Sequence, residues 1–163
     1  MITIKVEDER VMKALERVAS KGANLQPLMS EIGEIVLLSV KRNFEEGGRP
    51  SPWKKSRRVQ QSGGQTLSDT GRLRNSFTVD ADNKSVTVGT NVEYAPHLQF
   101  GTKPRIIRPT RAKALNIPGI GFRKKVKHPG LPARPFLMVQ EADIAKIITA
   151  IEDHLGANEQ QPL

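Results

Sequence analysis

The fold of this chain is decided by the stretch PLMSEIGEIVLLSVKRNFEEGG, residues 27–48. Pro27 suits the first turn of a helix, and the pair Gly47-Gly48 suits its end. Between them, apolar side chains recur every three or four residues, as on one face of an α-helix: Leu28, Ile32, Ile35, Val36, Val40 and Phe44. The stretch therefore predicts a helix of about 18 residues, ~27 Å long, with one face on the core.

Two further amphipathic helices are predicted, one before this stretch and one near the end of the chain. The first covers residues 8–21, on an apolar stripe formed by Val11, Leu15 and Val18. The second begins at Pro135, whose fixed φ suits a first helical turn, and ends at Gly156. Its apolar side chains are Phe136, Val139, Ile144, Ile147, Ile148, Ile151 and Leu155. Residues 157–163 are predicted to be a flexible tail.

Short runs of alternating apolar and polar residues predict β-strands. One run covers residues 2–6. Two more runs, 77–79 and 86–88, flank the turn Asp82-Asn83 and predict a β-hairpin. Together these elements predict a single α+β domain over residues 1–156, in which three amphipathic helices pack on one face of an antiparallel sheet of about five strands.

Charge is distributed unevenly along the chain. There are 26 Lys and Arg residues against 17 Asp and Glu residues, which gives a net charge of +9. The excess lies in two windows: residues 49–58 contain five basic and no acidic residues, and residues 101–134 contain ten basic and no acidic residues. The chain is therefore predicted to be a near-neutral body with basic arms, which excludes a uniformly basic, histone-like protein.

Both basic windows are predicted to lie at the surface. Residues 49–66 are rich in Gly, Pro, Ser and charge, which predicts an exposed loop with Trp53 as its anchor. Residues 101–134 have too few apolar side chains for a core of their own and contain a glycine turn at 119–121, which predicts a long, protruding basic β-hairpin. The cations predicted to contact DNA or a partner are Arg105, Arg108, Arg111, Lys113, Arg123, Lys124, Lys125 and Lys127.

The sequence offers no residues for catalysis or metal binding. Without cysteine there is no disulfide, no thiolate zinc site and no Cys nucleophile. The three histidines, His97, His128 and His154, do not show the spacing of a metal site, and neither a phosphate-binding loop nor a nucleophilic serine motif occurs. We therefore expect no enzyme, no cofactor and no metal. The longest apolar run, residues 35–38, is far too short to cross a membrane, so a soluble protein is expected.

Two interpretations of the basic arm stay open from composition alone. If it neutralised six to ten phosphates, nonspecific binding to DNA would weaken by roughly 10³ to 10⁵ between 50 and 200 mM salt. No recognition-helix or zinc-finger pattern is present, so such binding would not depend on sequence. Alternatively, the arm is solvated or contacts a protein partner.

Four groups of residues occur in an order and spacing that resemble a known family. They are Phe44, Gly47, Gly48, Pro50, Pro52 and Trp53, then Leu67, Asp69, Thr70, Gly71, Leu73 and Ser76, then Val88, Gly89, Thr90, Asn91, Tyr94, Ala95, Gln99, Phe100, Gly101 and Thr102, and finally Ala133, Arg134, Pro135, Phe136 and Leu137. In these four motif groups the chain resembles, from about residue 25 to 156, the virion morphogenesis or tail-completion family of tailed phages with Mu-like and P2-like tails. It departs from the family pattern in the position of His97 and in its long, basic arm.

This resemblance implies a structural protein without enzymatic activity. Relatives act late in assembly, at the junction between tail tube and capsid, so a place in the virion is implied, with host cytoplasm as the site of assembly. A ring-forming homo-oligomer, such as a hexamer, is implied, with tail-tube or head-connector proteins as further partners. The arm would lie across a neighbouring subunit, where its charge could line a DNA channel.

Overall fold

The structure, a computed structural model, describes residues 2–3, 7–20, 24–110, 112–117, 119 and 121–159. Several predictions fall in part outside these ranges. They are the alternation at Ile4 and Val6, the last residue of the helix predicted over 8–21, the middle of the glycine turn at 119–121, the partner-contacting role of Arg111, and the flexible tail beyond residue 159. The helices within the described ranges are α1 (Glu9–Ala19), α2 (Gln26–Glu46), α3 (Arg57–Ser62), α4 (Ala95–Gln99) and α5 (Glu141–Glu159). The strands are β1 (Ile2–Thr3), β2 (Phe77–Ala81), β3 (Val86–Thr90), β4 (Arg105–Ile107), β5 (Leu115–Ile117), β6 (Gly121–Arg123) and β7 (Val126–His128).

The long helix α2 confirms the prediction made from residues 27–48. It is 21 residues long, with Pro27 in its first turn. It ends because Gly47 adopts a left-handed backbone with φ of 72°, so that the amide of Gly48 turns back to the carbonyl of Asn43 at 2.8 Å. Its buried face includes five of the six apolar positions that predicted it, and the sixth, Ile35, is half-buried.

The N-terminal helix α1 also agrees with its prediction. Asp8 caps it, because its Oδ1 accepts hydrogen bonds from the amides of Arg10 at 2.9 Å and Val11 at 3.4 Å. Arg10 in turn reaches Glu141 of α5 at 2.6 Å, so that one ion pair joins the starts of the two helices.

The C-terminal helix α5 exists, but both of its predicted ends are wrong. It begins at Glu141 because the side chain of Asp143 accepts from the amide of Gln140 at 2.9 Å, which completes half of a capping box. Pro135 and Phe136 therefore precede the helix, in chain that is neither helix nor strand. Gly156 lies within the helix, which continues to Glu159 through part of the predicted tail.

The strands form one small sheet and two separate pairs. The sheet has the order β1-β3-β2 and is antiparallel, with Phe77 opposite Thr90 and Ala81 opposite Val86, as the predicted hairpin requires. β4 pairs with β7, and β5 pairs with β6. The prediction of one sheet of about five strands thus differs from the described structure, because the strands of the basic segment do not join the sheet. Along the chain, the pair β5–β6 lies between the two strands of the pair β4–β7, and both pairs are antiparallel. That the whole basic segment forms a single long hairpin stays a prediction.

Helix α2 lies between the sheet and the other long helices. It packs on β2 and β3 and also on α5, which contacts α1. Gly33 makes the closest helix–sheet approach, since a Cβ there would overlap Val79 and lie 2.9 Å from Val86 Cγ2. The chain needs glycine at this position for lack of space.

The centre of the core is aromatic. Phe44 of α2 lies 5.6 Å from Trp53, 6.0 Å from Phe77 and 5.5 Å from Phe136, measured between ring centroids. Phe77 and Phe136 are themselves 5.8 Å apart and nearly perpendicular. These rings hold together α2, the sheet, the loop around Trp53 and the segment that precedes α5.

The predicted exposed loop at residues 49–66 contains a short helix that the sequence reading did not find. Ser56 caps α3 by accepting from the amide of Val59 at 3.4 Å. Val59 is the one apolar residue of α3, so its sequence lacks the periodic apolar stripe from which the longer helices were predicted.

Candidate assembly surface

A short segment without helix or strand, residues 134–137, connects the basic segment to the body of the protein. We call it the strap. Gln99 at the end of α4 holds it: its Oε1 accepts from the amides of Phe136 at 2.9 Å and Leu137 at 3.0 Å, and its Nε2 donates to the Leu137 carbonyl at 2.9 Å. All three side chains are buried. The side-chain amide of Gln99 thus supplies the hydrogen-bond partners that the buried backbone of the strap would otherwise need from a neighbouring strand.

The loop after α2 is fixed to the strap at two further points. The indole Nε1 of Trp53 donates to the Pro135 carbonyl at 3.0 Å, and Arg134 Nε donates to the Lys54 carbonyl at 2.9 Å. Trp53, the predicted loop anchor, is 7% exposed, and Arg134 is 5% exposed. Burial lowers the pKa of the Arg134 guanidinium, since the charged form loses solvation.

A buried polar network supports the strap from the helix side. Asn43 Nδ2 donates to the Phe136 carbonyl at 2.8 Å, and Arg49 Nε donates to Asn43 Oδ1 at 2.8 Å. Arg49 also donates to the Ser39 carbonyl at 2.8 Å, and the Ser39 hydroxyl donates to Asp143. Arg49, one of the cations of the first basic window, therefore serves the fold rather than the surface.

The second motif group joins the others through a hydroxyl pair. Ser76 Oγ lies 2.6 Å from Thr90 Oγ1, and Leu73 of the same group is buried in the core. Gly71 and Gly101 both have left-handed backbones, and a Cβ on Gly101 would lie 2.6 Å from the Leu131 carbonyl oxygen. The four motif groups thus meet around the aromatic core and the strap, where they determine the fold.

The basic segment itself, residues 101–133, is different in kind. Its base is a pair of backbone hydrogen bonds between Thr102 and Leu131, at 2.9 and 3.1 Å. Beyond that base, no described side chain between residues 103 and 133 is buried. Its antiparallel pairs are three residues long, too short to be stable alone in water. The segment therefore lacks a core, as its composition predicts.

The predicted contact cations are exposed wherever the structure describes them. They are Arg105, Arg108, Lys113, Arg123, Lys124, Lys125 and Lys127, and Arg111 lies outside the described residues. Within the described part of the chain, none of them lies within 4.0 Å of a carboxylate. The structure therefore leaves their charge available to a partner outside this subunit.

Large apolar side chains are exposed on and beside the same segment. Phe122 is 70% exposed and Phe100 is 68% exposed, and Ile106 and Leu131 are also exposed. Sequence reasoning named only the cations here. The signal that could have found these residues is the presence of large apolar side chains in a segment too polar to bury them.

Side chains that could ligate a metal are not clustered in the described part of the chain. The described residues contain no group of three or more His, Asp or Glu side chains that could hold a metal ion. His128 Nδ1 accepts from the amide of Gly130 at 3.0 Å, which is a turn contact. One cleft of about 330 Å³ is lined mainly by apolar side chains of α1, α2, β3 and α5. No helix in the described part of the chain has both the length and the apolar character needed to cross a membrane.

Residues of the four motif groups build the strap and much of the aromatic core, and the long basic segment lies between the third and the fourth of these groups. The profile of the phage virion morphogenesis family matches residues 6–156, and the chain belongs to that family. Among known proteins it is similar to "Mu-like prophage FluMu G protein 2" of Haemophilus influenzae strain Rd, at 37% identity over 155 residues, which covers 94% of this chain and 96% of that relative. No solved structure is significantly similar to it.

Proposed function

We propose that this chain is a tail-completion or head–tail joining protein, a ring-forming subunit without catalytic activity that acts at the junction between tail tube and capsid. Membership of the virion morphogenesis family supports the general role. One observation carries the finer proposal: the basic segment has no buried side chain between residues 103 and 133 in its described part, yet it exposes Phe122 and Ile106. Such a segment gains order by lying on another protein.

The symmetry of a ring explains how one arm per subunit suffices. In a heterologous contact, the arm of one subunit binds a different surface on the next, and the contact closes when the rotation divides a full turn. Each arm then packs on the neighbouring subunit, and only its outer side stays exposed to solvent. Tail-tube and head-connector proteins would bind the two faces of the ring.

The test uses a phage genome in which this gene is deleted and supplied in trans. The deletion is expected to leave heads and tails assembled separately but unjoined in electron micrographs of lysates. The decisive variant replaces residues 105–128 by a short Gly-Ser linker and keeps the bridge between Thr102 and Leu131. We expect it to fold and to unfold cooperatively, yet to fail to restore joined particles.

The matched control removes charge elsewhere on the body. Lys13, Lys41, Lys84 and Lys146 are all exposed, and their replacement by Ser is expected to leave joined particles at the native level. Normal infectious particles from the deletion strain, or from the strain with the linker variant, would overturn the proposal.

A second candidate function is nonspecific binding of DNA by the same arm. It is favoured by the exposed cations that have no carboxylate neighbour in the described structure. The logarithm of the binding constant for duplex DNA would fall linearly with the logarithm of the salt concentration, with a slope of about −0.9 per phosphate neutralised. A slope near zero, or no binding at low salt, removes this candidate.

A further inference from the structure

The three-stranded sheet has one open edge in the described structure. Its order, β1-β3-β2, leaves β2 paired on one side only. β2 is five residues long, Phe77 to Ala81, which makes it one of the two longest strands described. An unpaired edge of this length is a template for a strand from another chain.

The hairpin geometry shows which backbone groups are free along this edge. The amide of Asp82 donates to the Ser85 carbonyl at 2.9 Å at the turn, and hydrogen-bonded pairs alternate from there along an antiparallel ladder. Asp80 and Thr78 therefore bond to β3. The amides and carbonyls of Phe77, Val79 and Ala81 point outward, and no described backbone group pairs with them.

β2 carries few of the features by which edge strands usually prevent pairing. It contains no proline and no lysine, and its pairing with β3 is continuous, without a bulge. Its solvent face exposes Thr78 and Asp80, while Phe77 and Val79 face the core. A complementary strand would place an apolar side chain beside Val79 and a cation beside Asp80.

Strand β7, together with the residue before it, has this alternation. Lys125 and Lys127 share one face and are exposed, and Val126 on the other face is half-buried. β7 pairs with β4 alone, so its second edge is also open in the described structure. Charge, spacing and two free backbone edges thus match.

We propose that the open edge of β2 binds strand β7 of a second copy of this chain, and this proposal rests on the ring proposed above. The interface would join β1-β3-β2 of one subunit to β7-β4 of the next. A sheet of five strands then forms between two subunits, with three strands from one subunit and two from the next. The contact is heterologous, so repeating it generates a ring when the rotation between neighbouring subunits divides a full turn.

The absence of cysteine makes the interface directly testable by disulfide capture. The variants combine Thr78→Cys or Asp80→Cys on the edge with Lys125→Cys or Lys127→Cys on β7. Facing residues on paired strands have Cβ atoms within reach of a disulfide. Mild oxidation of the purified oligomer is expected to give a ladder of covalent dimers, trimers and higher species that reductant collapses to monomer.

Two controls give the result its meaning. Each single-cysteine variant is expected to stay monomeric on a denaturing gel, and covalent dimers of the Asp80→Cys variant alone would instead show two β2 edges paired with each other. Asp80→Cys combined with Lys113→Cys places a thiol on the same basic segment outside its strands and is expected to form no ladder. An equal ladder from that pair would show random collision. Either result, or no ladder from all four edge–β7 pairs, overturns the proposal.

A charge variant separates this inference from the proposed function. Asp80→Lys is expected to raise the protein concentration needed for ring formation at least tenfold, whereas Asp80→Glu is expected to leave that concentration at its native value. If the linker variant lacking residues 105–128 fails to join particles but Asp80→Lys assembles normally, the arm is required and the docking edge is wrong. If the linker variant joins particles, the proposed function itself is wrong.

Discussion

Gln99 and Leu137 are joined by a pair of hydrogen bonds of the kind that two β-strands exchange. The side-chain amide donates to the Leu137 carbonyl at 2.9 Å and accepts from its amide at 3.0 Å, and both residues are buried. This single contact fixes the strap between the basic segment and α5. Because the Gln99 side chain supplies hydrogen bonds that a neighbouring strand would otherwise supply, the stability of the fold depends on its amide group.

Replacing Gln99 by Leu is expected to destabilise the protein by about 2–4 kcal/mol, because it leaves buried backbone donors and an acceptor of the strap without partners. The free energy of unfolding from urea titration measures the effect. Gln61, exposed on α3, is the matched control, and Gln61→Leu is expected to change stability by less than about 0.5 kcal/mol. Equal effects of the two substitutions would contradict the role assigned to Gln99.

Two glycines in helices are expected to respond to alanine with opposite signs. At Gly33 the new methyl group would overlap Val79, so Gly33→Ala is expected to cost about 1–3 kcal/mol. At Gly156 nothing lies within 4 Å, so Gly156→Ala is expected to stabilise α5 by about 0.5–1 kcal/mol. Thermal unfolding of both variants checks the prediction. A neutral Gly33→Ala would mean that the helix–sheet spacing is wider than described.

The cap of α1 is expected to make stability depend on pH in the acid range. The hydrogen bond from the Arg10 side chain, aided by backbone amides, lowers the pKa of Asp8 from 3.8 to about 2. Because the pKa of Asp8 is lower in the folded chain than in the unfolded chain, its carboxylate stabilises the fold at pH values above the unfolded pKa. This contribution is lost as the pH falls from about 4 towards 2. Urea midpoints measured across this range are expected to fall less steeply in Asp8→Asn than in the native chain.

Arg10→Gln is the second arm of that comparison. It removes the main cause of the shift while keeping Asp8 and is expected to flatten the same acid dependence. It also removes the ion pair with Glu141, whose pKa is lowered by the same Arg10 side chain. An acid profile identical to that of the native chain in both variants would contradict the cap.

The cations of the basic segment are expected to be dispensable for folding. Replacement of Arg123, Lys124, Lys125 and Lys127 by Ser removes exposed charges without carboxylate neighbours in the described structure, so each change is expected to shift stability by less than about 0.5 kcal/mol. Circular dichroism and urea titration check this. The control with Lys13, Lys41, Lys84 and Lys146 replaced by Ser should behave alike. Loss of cooperative unfolding in the first variant alone would show that those side chains belong to the core.

The long helices were predictable because their signals are local. A 3.6-residue apolar period specifies α2 wherever the rest of the chain lies, and the Gly47 stop acts within one turn. The two ends of α5 were not predictable in this way. Phe136 looks like the first apolar residue of a helix, yet its amide is taken by Gln99, a residue far away in sequence.

The candidate surface shows the same division. Its charge and its lack of a core follow from composition, because a segment with so few apolar side chains cannot form a core of its own. The exposed aromatic rings and the open edge of β2 depend on which strands pair, and pairing is a long-range choice that alternation alone leaves undecided.

By itself, the sequence determined the helical stripes, the β2–β3 hairpin, the concentration of charge in residues 101–134 and the family signature. Each of these depends on neighbours in the chain or on residue type alone. Only the tertiary structure decided that the signature residues meet around Phe44 and the strap, that Arg49 is committed to a buried network, and that the strands of the basic segment stay apart from the sheet. Those outcomes depend on hydrogen bonds and packing between residues distant in sequence, where burial makes every unpaired backbone group costly and so selects one partner.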